Sequence, residues 1–196
     1  MKRFLLGLTG SIGMGKSTTA AMFAAEGLPV WDADAAVARL YGAGGGAVSA
    51  VAALCPAAVG AAGVDRAALK HWIAAEPTAL ARLEQVVHPL VAANRAAFIA
   101  HQTADIVVLD IPLLFETGAN AGMDATLVVT APPEVQRARV LARPGMTEGR
   151  FATLLARQMP DAEKRRRATH VIETTSLEVV QKAVQELIER IRSGNA

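Results

Sequence analysis

Residues 4–17 read FLLGLTGSIGMGKS, and their pattern indicates the class of fold. The apolar run Phe4–Thr9 predicts a short buried strand, and Gly10 turns the chain out of it. A helix is predicted from Ser17, so a glycine-rich loop lies between a strand and a helix. This order of elements is typical of a sheet whose strands are parallel and connected by helices.

The loop itself matches the pattern G-x-x-x-x-G-K-[ST], which binds phosphate groups. Its glycines let backbone N–H groups point at phosphate oxygens, with the positive end of the next helix behind them. Lys16 is expected to contact the β- and γ-phosphates of a nucleotide, and Ser17 to offer its hydroxyl to Mg²⁺. The alternative, a structural glycine turn with a surface lysine, is disfavoured by the flanking strand and helix. The residues expected to bind the nucleotide are Gly10, Ser11, Ile12, Gly13, Met14, Gly15, Lys16, Ser17 and Thr18.

Further apolar runs extend the predicted sheet. The strands expected after the first helix are Val30-Trp31, 106–109, 125–130 and 169–172. More than 70 residues separate Trp31 from Ile106, and they are Ala-rich and helical in pattern. They are too many for one crossover, so we expect an inserted lobe of several helices. Gly42–Gly46 is expected to be a flexible linker rather than a second phosphate loop, because no Lys-Ser follows it.

The composition excludes several classes of protein. With 196 residues, 52% of them hydrophobic and 19% charged, the chain should fold as about one domain. Aromatic residues make up 4%, too few for the stacking surfaces that bind single-stranded nucleic acid. A net charge of +2 identifies no polyanionic partner, and the single Cys55 fits a reducing cytoplasm. No apolar run approaches the roughly 20 residues of a membrane span, and the early glycines argue against a secretion signal.

Two carboxylate positions follow predicted strands. Asp110 comes directly after the run Ile106–Leu109, where a carboxylate can hold a metal directly or through water. A turn or helix cap is an equally open interpretation of Asp110.

No Asn-Lys-x-Asp segment for reading guanine is present, so a kinase is favoured over a GTPase. A kinase needs a carboxylate beside its acceptor hydroxyl, and Asp32-Ala33-Asp34 is well placed; one of these two can cap a helix while the other acts.

Cations form the third group of candidates. Arg139 and Arg143 lie one turn apart on one face of the helix predicted after Thr130, which Pro144-Gly145 should end. Such arginines can neutralise a transferring phosphate when a lid closes, although spacing alone also fits a solvated helix face. The run Lys164–Arg167 is typical of a solvated helix end, and nucleic-acid binding is disfavoured.

His88-Pro89 lies inside the helical lobe. The proline predicts the start of a long helix, with the imidazole just outside it. Taken alone, His88 is expected to cap or pack, and Trp72 and Phe98 to belong to the core rather than to a ligand platform.

Together these pieces resemble the dephospho-CoA kinase family, over nearly the whole chain and in the family's order. They are the phosphate loop, Asp32-Ala33-Asp34, Asp65-Arg66, 87–91, 110–116, 139–143, 158–160, Lys164-Arg165 and Val171-Ile172. The resemblance implies phosphorylation of the ribose 3′-hydroxyl of dephospho-CoA by ATP with Mg²⁺, the last step of coenzyme A synthesis. The alternatives are a kinase for another nucleoside, nucleotide or small metabolite, and a nucleotide-dependent switch or nucleic-acid-binding ATPase.

The resemblance also implies an architecture and residue roles. The architecture is an α/β phosphate-loop domain over residues 1–196, three layers around a mostly parallel five-stranded sheet. It includes a helical acceptor lobe over about 42–104 and a lid over about 140–168. The implied catalytic residues are Asp34, Lys16, Arg139 and Arg143; the implied metal ligands are Ser17 and Asp110. The implied acceptor-side residues are Asp32, Asp34, His88 and Pro89, and the default expectation is a cytoplasmic monomer.

Some positions depart from the family's commonest pattern. Ser11 and Met14 replace smaller loop residues, and Ala38 stands where many relatives have His or Arg, beside Arg39. Glu173-Thr174 occupies a site that often reads Asp-Asn near the adenine.

Overall fold

The computed structural model describes residues 3–195 of the chain. The strands are β1 (Phe4–Thr9), β2 (Val30–Asp32), β3 (Val59–Gly60), β4 (Gly63–Val64), β5 (Ile106–Asp110), β6 (Ala125–Thr130) and β7 (His170–Glu173). The α-helices are α1 (Lys16–Ala25), α2 (Ala33–Tyr41), α3 (Val48–Leu54), α4 (Arg66–Ala75), α5 (Ala79–His101), α6 (Pro133–Leu141), α7 (Glu148–Ala156), α8 (Asp161–Arg167) and α9 (Leu177–Arg192). Short 3-10 helices cover Pro56–Ala58 and Ala119–Gly122. The residues up to Trp31 and those from Thr103 onward form one compact unit, and Asp32–Gln102 form a second.

A five-stranded sheet with the order β2-β5-β1-β6-β7 organises the first unit. β1 pairs in parallel with β5 and with β6, and β6 pairs in parallel with β7. Every residue of β5 and β6 is buried, because helices cover both faces of a parallel sheet and each strand then has two apolar sides. The predicted parallel five-stranded sheet flanked by helices is confirmed.

The main core lies between this sheet and the helices α1 and α9. Phe23 of α1 and Leu187 of α9 are completely buried, as are Leu6 and Leu127 in the sheet. Apolar residues recur along α9 at Val180, Val184, Leu187, Ile188 and Ile191, the spacing that keeps one helical face against a core. The apolar pattern of α9 therefore fixes how the end of the chain packs.

The second unit contains α2 to α5 and a small antiparallel pair, β3 with β4. Its own core includes the buried side chains of Val51, Leu69, Leu83 and Val87. The sequence did not predict the hairpin, since each of its strands has only two residues and leaves no periodic pattern.

The glycine-rich stretch 42–46 is an ordered turn inside the second unit, unlike the flexible linker expected from its composition. The amide of Gly45 donates to the Gly42 carbonyl at 2.9 Å, and that of Ala47 donates to the Leu40 carbonyl at 3.1 Å. A Cβ on Gly45 would lie 2.2 Å from the same Leu40 oxygen. Glycine is required here for close backbone approach, which composition cannot distinguish from flexibility.

Pro89 lies in the middle of α5, so the prediction that it starts a helix was wrong. The helix begins ten residues earlier, at Ala79, after the turn that contains Pro77 and Thr78. Pro89 has no N–H to donate to the carbonyl of Gln85, yet the 23-residue helix continues through it. The sequence signal was ambiguous, because a proline fits the first turn of a helix and also occurs at an interior kink.

Candidate active site

The phosphate loop joins β1 to α1 and lies tightly against α6. Gly13 and Gly15 have φ angles of +80° and +85°, a region that favours glycine. A Cβ on Gly13 would lie 2.5 Å from Cγ2 of the completely buried Val140. The glycine at position 13 is therefore fixed by its backbone angle and by its neighbour together.

Side chains from distant parts of the chain hold the loop. The Nε2 amide of Gln136 donates to the Ile12 carbonyl at 2.8 Å, and the Ile12 N–H donates to Oε1 of Gln158 at 3.1 Å. The hydroxyl of Thr174 lies 2.9 Å from the Met14 carbonyl, to which it donates. The Ile12 N–H, expected among the groups that bind a nucleotide, instead donates within the protein.

Lys16 and Asp110 meet at the carboxyl ends of two neighbouring strands. Lys16 Nζ lies 2.5 Å from Asp110 Oδ1, and Asp110 is 2% exposed at the end of β5. The strand pairing places Leu8 opposite Asp110, so the chain leaves β1 beside this carboxylate. Ser17, in the first turn of α1, is exposed. The structure thus brings Lys16 and Asp110 together, and Ser17 follows Lys16 in the chain.

A cavity of about 330 Å³ opens beside the loop, within the range of small-molecule sites. Its lining includes Gly13, Gly15, Thr18, the two arginines Arg139 and Arg143, and residues 174–177. Both predicted arginines therefore face one cavity.

The two arginines are held differently. Arg139 Nη1 donates to Thr174 Oγ1 at 3.0 Å, and Nη2 donates to the Thr174 carbonyl at 2.5 Å. Arg143 is exposed and lies beyond the end of α6, so the prediction that both arginines share one helix was wrong. The helix ends at Leu141, and the Arg143 amide already turns back to the Val140 carbonyl.

The predicted acceptor-side residues belong to the second unit. Asp32 accepts a hydrogen bond from the Ala35 N–H at 2.9 Å and so caps α2. Asp34 lies in the first turn of α2 and is exposed, and His88 and Pro89 are exposed on α5. Of the two carboxylates, Asp32 is therefore the one used as the helix cap.

Sequence reasoning missed the roles of Gln136, Thr174 and Gln158. Gln158 stood in the family motif and Thr174 at a position that departs from it, but no contact with the loop was assigned to either. Gln136 carried no signal, because only the fold shows that this helical glutamine is 7% exposed and directed at the loop.

Residues 3–195 contain neither a cluster of metal-binding side chains nor a helix suited to a membrane. No group of three or more His, Cys, Asp or Glu side chains is arranged there to bind a metal ion. None of the helices in that range has the length and apolar character needed to cross a membrane.

Comparison with known proteins places this geometry in a family. The family model for dephospho-CoA kinase matches residues 4–178. The chain belongs to the dephospho-CoA kinase family. It is 67% identical over 192 residues to the dephospho-CoA kinase of Cereibacter sphaeroides, covering 98% of each chain.

Solved structures agree with this assignment. A crystal structure of a Thermus thermophilus protein has a TM-score of 0.86 and 38% identity, with 97% of this chain and 98% of that one covered. The dephospho-CoA kinase from Campylobacter jejuni has a TM-score of 0.73 at 21% identity, with both chains fully covered, and supports the fold. The predicted kinase activity is confirmed, and the alternative acceptors and the switch or nucleic-acid-binding ATPase are not favoured.

Proposed function

We propose that this chain transfers a phosphoryl group from ATP to the ribose 3′-hydroxyl of dephospho-CoA with Asp34 as the base. Lys16 and the phosphate loop stabilise the charge on the transferring phosphate. In this in-line step the 3′-oxygen forms a bond to the γ-phosphorus while the bond from the γ-phosphorus to the bridging oxygen of ADP breaks. The hydroxyl proton passes to the Asp34 carboxylate. The observation that carries the phosphate side of the proposal is the Lys16–Asp110 pair beside the glycine loop of a chain from this family. The exposed position of Asp34 in the first turn of α2 supports its role as base.

On the nucleotide side, the loop amides and Lys16 bind the β- and γ-phosphates. The positive N-terminal end of α1 adds to their attraction for the phosphates. Arg139 is fixed by Thr174 in the cavity wall, so its charge is already in position before ATP arrives. Arg143 is exposed at the same cavity and is assigned to the γ-phosphate when the lid, residues of about 140–168, closes.

Ser17 and Asp110 are assigned to Mg²⁺. A hydroxyl and a carboxylate are the oxygen ligands that this ion prefers, and Mg²⁺ commonly uses one or two protein oxygens together with substrate phosphates. Two observations support a Mg²⁺ ion at these residues: the Ser17 hydroxyl is exposed, and the buried Asp110 carboxylate lies beside Lys16. When bound, the ion neutralises charge on the phosphate oxygens.

On the acceptor side, the exposed first turn of α2 presents Asp34 while Asp32 caps the helix. His88 and Pro89, exposed on α5, are assigned to contact with the acceptor, in a lobe of about residues 42–104. A cytoplasmic location completes the proposal, since the single Cys55 is a buried free thiol and fits a reducing compartment. A monomer is kept as the default oligomeric state.

Acceptor-dependent release of ADP tests this function. The purified chain is incubated with ATP and Mg²⁺, with and without dephospho-CoA, and a panel of other nucleosides, nucleotides and small alcohols serves as the control. We expect release of ADP that depends on dephospho-CoA and a product heavier by one phosphate. Equal release without acceptor, or faster release with another member of the panel, would overturn the acceptor assignment.

A further inference from the structure

Gln158 links the segment between α7 and α8 to the phosphate loop. Its side-chain oxygen accepts the Ile12 N–H at 3.1 Å, across 146 residues of sequence. From the other side, Gln136 of α6 donates to the Ile12 carbonyl at 2.8 Å. The N–H and the C=O of Ile12 are therefore both held by side chains.

The loop has a physical need for such restraint. Gly10 and Gly13 flank this short stretch, and glycine backbones have many accessible conformations. A phosphate loop works only if its peptide groups keep one orientation, because a displacement of about 1 Å can cost about 100-fold in rate. Gln158 supplies a restraint at Ile12 that the glycines cannot supply.

An ion pair between the buried Lys164 and the more exposed Glu116 anchors the Gln158 segment. Glu116 Oε1 lies 2.9 Å from Lys164 Nζ and accepts the N–H of Met159, the neighbour of Gln158, also at 2.9 Å. Lys164 is completely buried. Burial raises the pKa of Glu116, but the hydrogen bonds from Lys164 and Met159 outweigh it and leave the pKa below its ordinary value.

Such an ion pair contributes little to the free energy of unfolding. Taking the Lys164 ammonium out of water carries a large desolvation cost, and apolar replacements of such ion pairs are often neutral or stabilising. The ion pair does fix geometry, since its length and direction are defined. The proposed reaction gives no role to Glu116 and Lys164, although both belong to the family motif. Fixing the geometry of the Gln158 segment supplies such a role.

We infer that Gln158 is a positioning residue for phosphoryl transfer, which acts by fixing the Ile12 peptide of the phosphate loop, and that the Glu116–Lys164 pair holds it in place. This inference rests on the proposed function and names a residue that the reaction needs. Gln158 acts through the loop backbone, so its loss should lower kcat more than it weakens ATP binding.

Gln158→Leu tests the inference, because it keeps most of the side-chain volume and removes the acceptor oxygen. We expect kcat to fall about 10- to 100-fold while KM for ATP changes less than about threefold. Hydrogen exchange at the Ile12 amide should become faster, a readout independent of activity. Gln185→Leu is the matched control, since Gln185 is an exposed glutamine on α9 that contacts Glu26, and its kinetics should equal those of the unmodified enzyme.

Two further variants separate positioning from general stability. Gln158→Glu retains an oxygen for the Ile12 N–H, so it should recover part of the kcat lost in Gln158→Leu. The double variant Glu116→Gln with Lys164→Met should lower kcat. Combined with Gln158→Leu, it should lower the logarithm of kcat by much less than the sum of the two separate decreases.

The inference is overturned if Gln158→Leu keeps kcat within about twofold. It is also overturned if the loss of kcat follows a loss of melting temperature and Gln158→Glu recovers none of it. Failure of the proposed function is distinguishable, because the unmodified enzyme itself would then show no ADP release that depends on dephospho-CoA. If the double variant does not fold, the three single glutamine variants still decide the outcome.

Discussion

Asp32 and Asp34 lie two residues apart in the chain, and we assign them different roles: Asp32 caps α2 and Asp34 is the proposed base. Asp32 accepts the Ala35 N–H, whereas Asp34 is exposed in the first helical turn. We expect Asp34→Asn to lower kcat by about 10²- to 10⁴-fold, because an amide cannot take the hydroxyl proton. KM for ATP should change little. Steady-state kinetics with dephospho-CoA as acceptor measure both quantities.

Asp32→Asn is the comparison for this change. Asparagine caps helices about as well as aspartate, so α2 should keep its first turn. We expect a loss of kcat at least about tenfold smaller than for Asp34→Asn. Equal losses in the two variants, or full activity of Asp34→Asn, would remove Asp34 from the role of base.

Some of the site could be predicted residue by residue and some could not. The loop with its Lys16, and Asp110, carry local signals, since the loop follows the apolar strand β1 and Asp110 ends the apolar run of β5. Thr174 and Gln136 act across 160 and 124 residues of sequence, and no local pattern encodes such a contact. Only the fold reveals that these two side chains reach the loop.

At the scale of elements, the close fit of the loop on α6 is testable through Gly13. Gly13→Ala places a methyl group 2.5 Å from Val140 Cγ2 at a φ of +80°. The backbone angle should cost about 1–2 kcal/mol, and the overpacking about 1–3 kcal/mol more. Urea denaturation measures the free energy of unfolding.

Gly118→Ala is the matched control for that substitution. Gly118 has a φ of +70°, and a Cβ there would meet nothing within 4 Å. It should therefore show the backbone cost without the steric cost. If both variants lose the same stability, the contact between the loop and α6 contributes nothing to the requirement for glycine at position 13.

β7 carries a histidine that makes stability depend on pH. Burial, reinforced by the charge of Arg190, lowers the pKa of His170 below its ordinary value of 6.5. The unfolded chain therefore binds more protons than the folded chain between the two pKa values. His170 contributes stability that is fully present above about pH 6.5 and is lost as the pH falls through its folded pKa.

His170→Gln should remove this contribution. We expect the melting temperature of the variant to fall less between pH 7 and pH 5 than that of the unmodified enzyme. The same replacement at the exposed His71 of α4 is the control. An unchanged pH slope in His170→Gln would show that this histidine does not couple folding to pH.

Element boundaries were less predictable than element types. The predicted last strand, 169–172, begins one residue later at His170, and α6 ends before Arg143 rather than after it. Pro89 shows the same limitation, because a proline can start a helix or bend it. Tertiary contacts choose between these outcomes, and the local sequence does not contain them.

At the scale of the whole molecule, the strand order explains where the site forms. β1 lies at the centre, between β5 and β6. The chain passes from β1 toward β2 on one side of the sheet and from β5 toward β6 on the other, so these two connections diverge. Ligands of parallel sheets bind at the carboxyl ends of strands where the connections diverge in this way. Lys16 and Asp110 meet at that point.

The sequence predicted a parallel sheet but not this order. Apolar runs separated by helices indicate parallel pairing, yet nothing in a run states which strand will be its neighbour. The sequence indicated an inserted helical lobe between Trp31 and Ile106, but the bounds of the second unit at Asp32 and Gln102 depend on contacts within each unit, which the local sequence does not contain.

The position of the transferred phosphate on the product distinguishes transfer to the ribose 3′-hydroxyl from every other outcome. The enzyme is incubated with ATP, Mg²⁺ and dephospho-CoA, and the product is analysed by mass and by proton–phosphorus correlation NMR. The expected product carries one added phosphate whose phosphorus couples to the ribose H3′. A phosphate on another hydroxyl, or no phosphorylated product, would contradict the account.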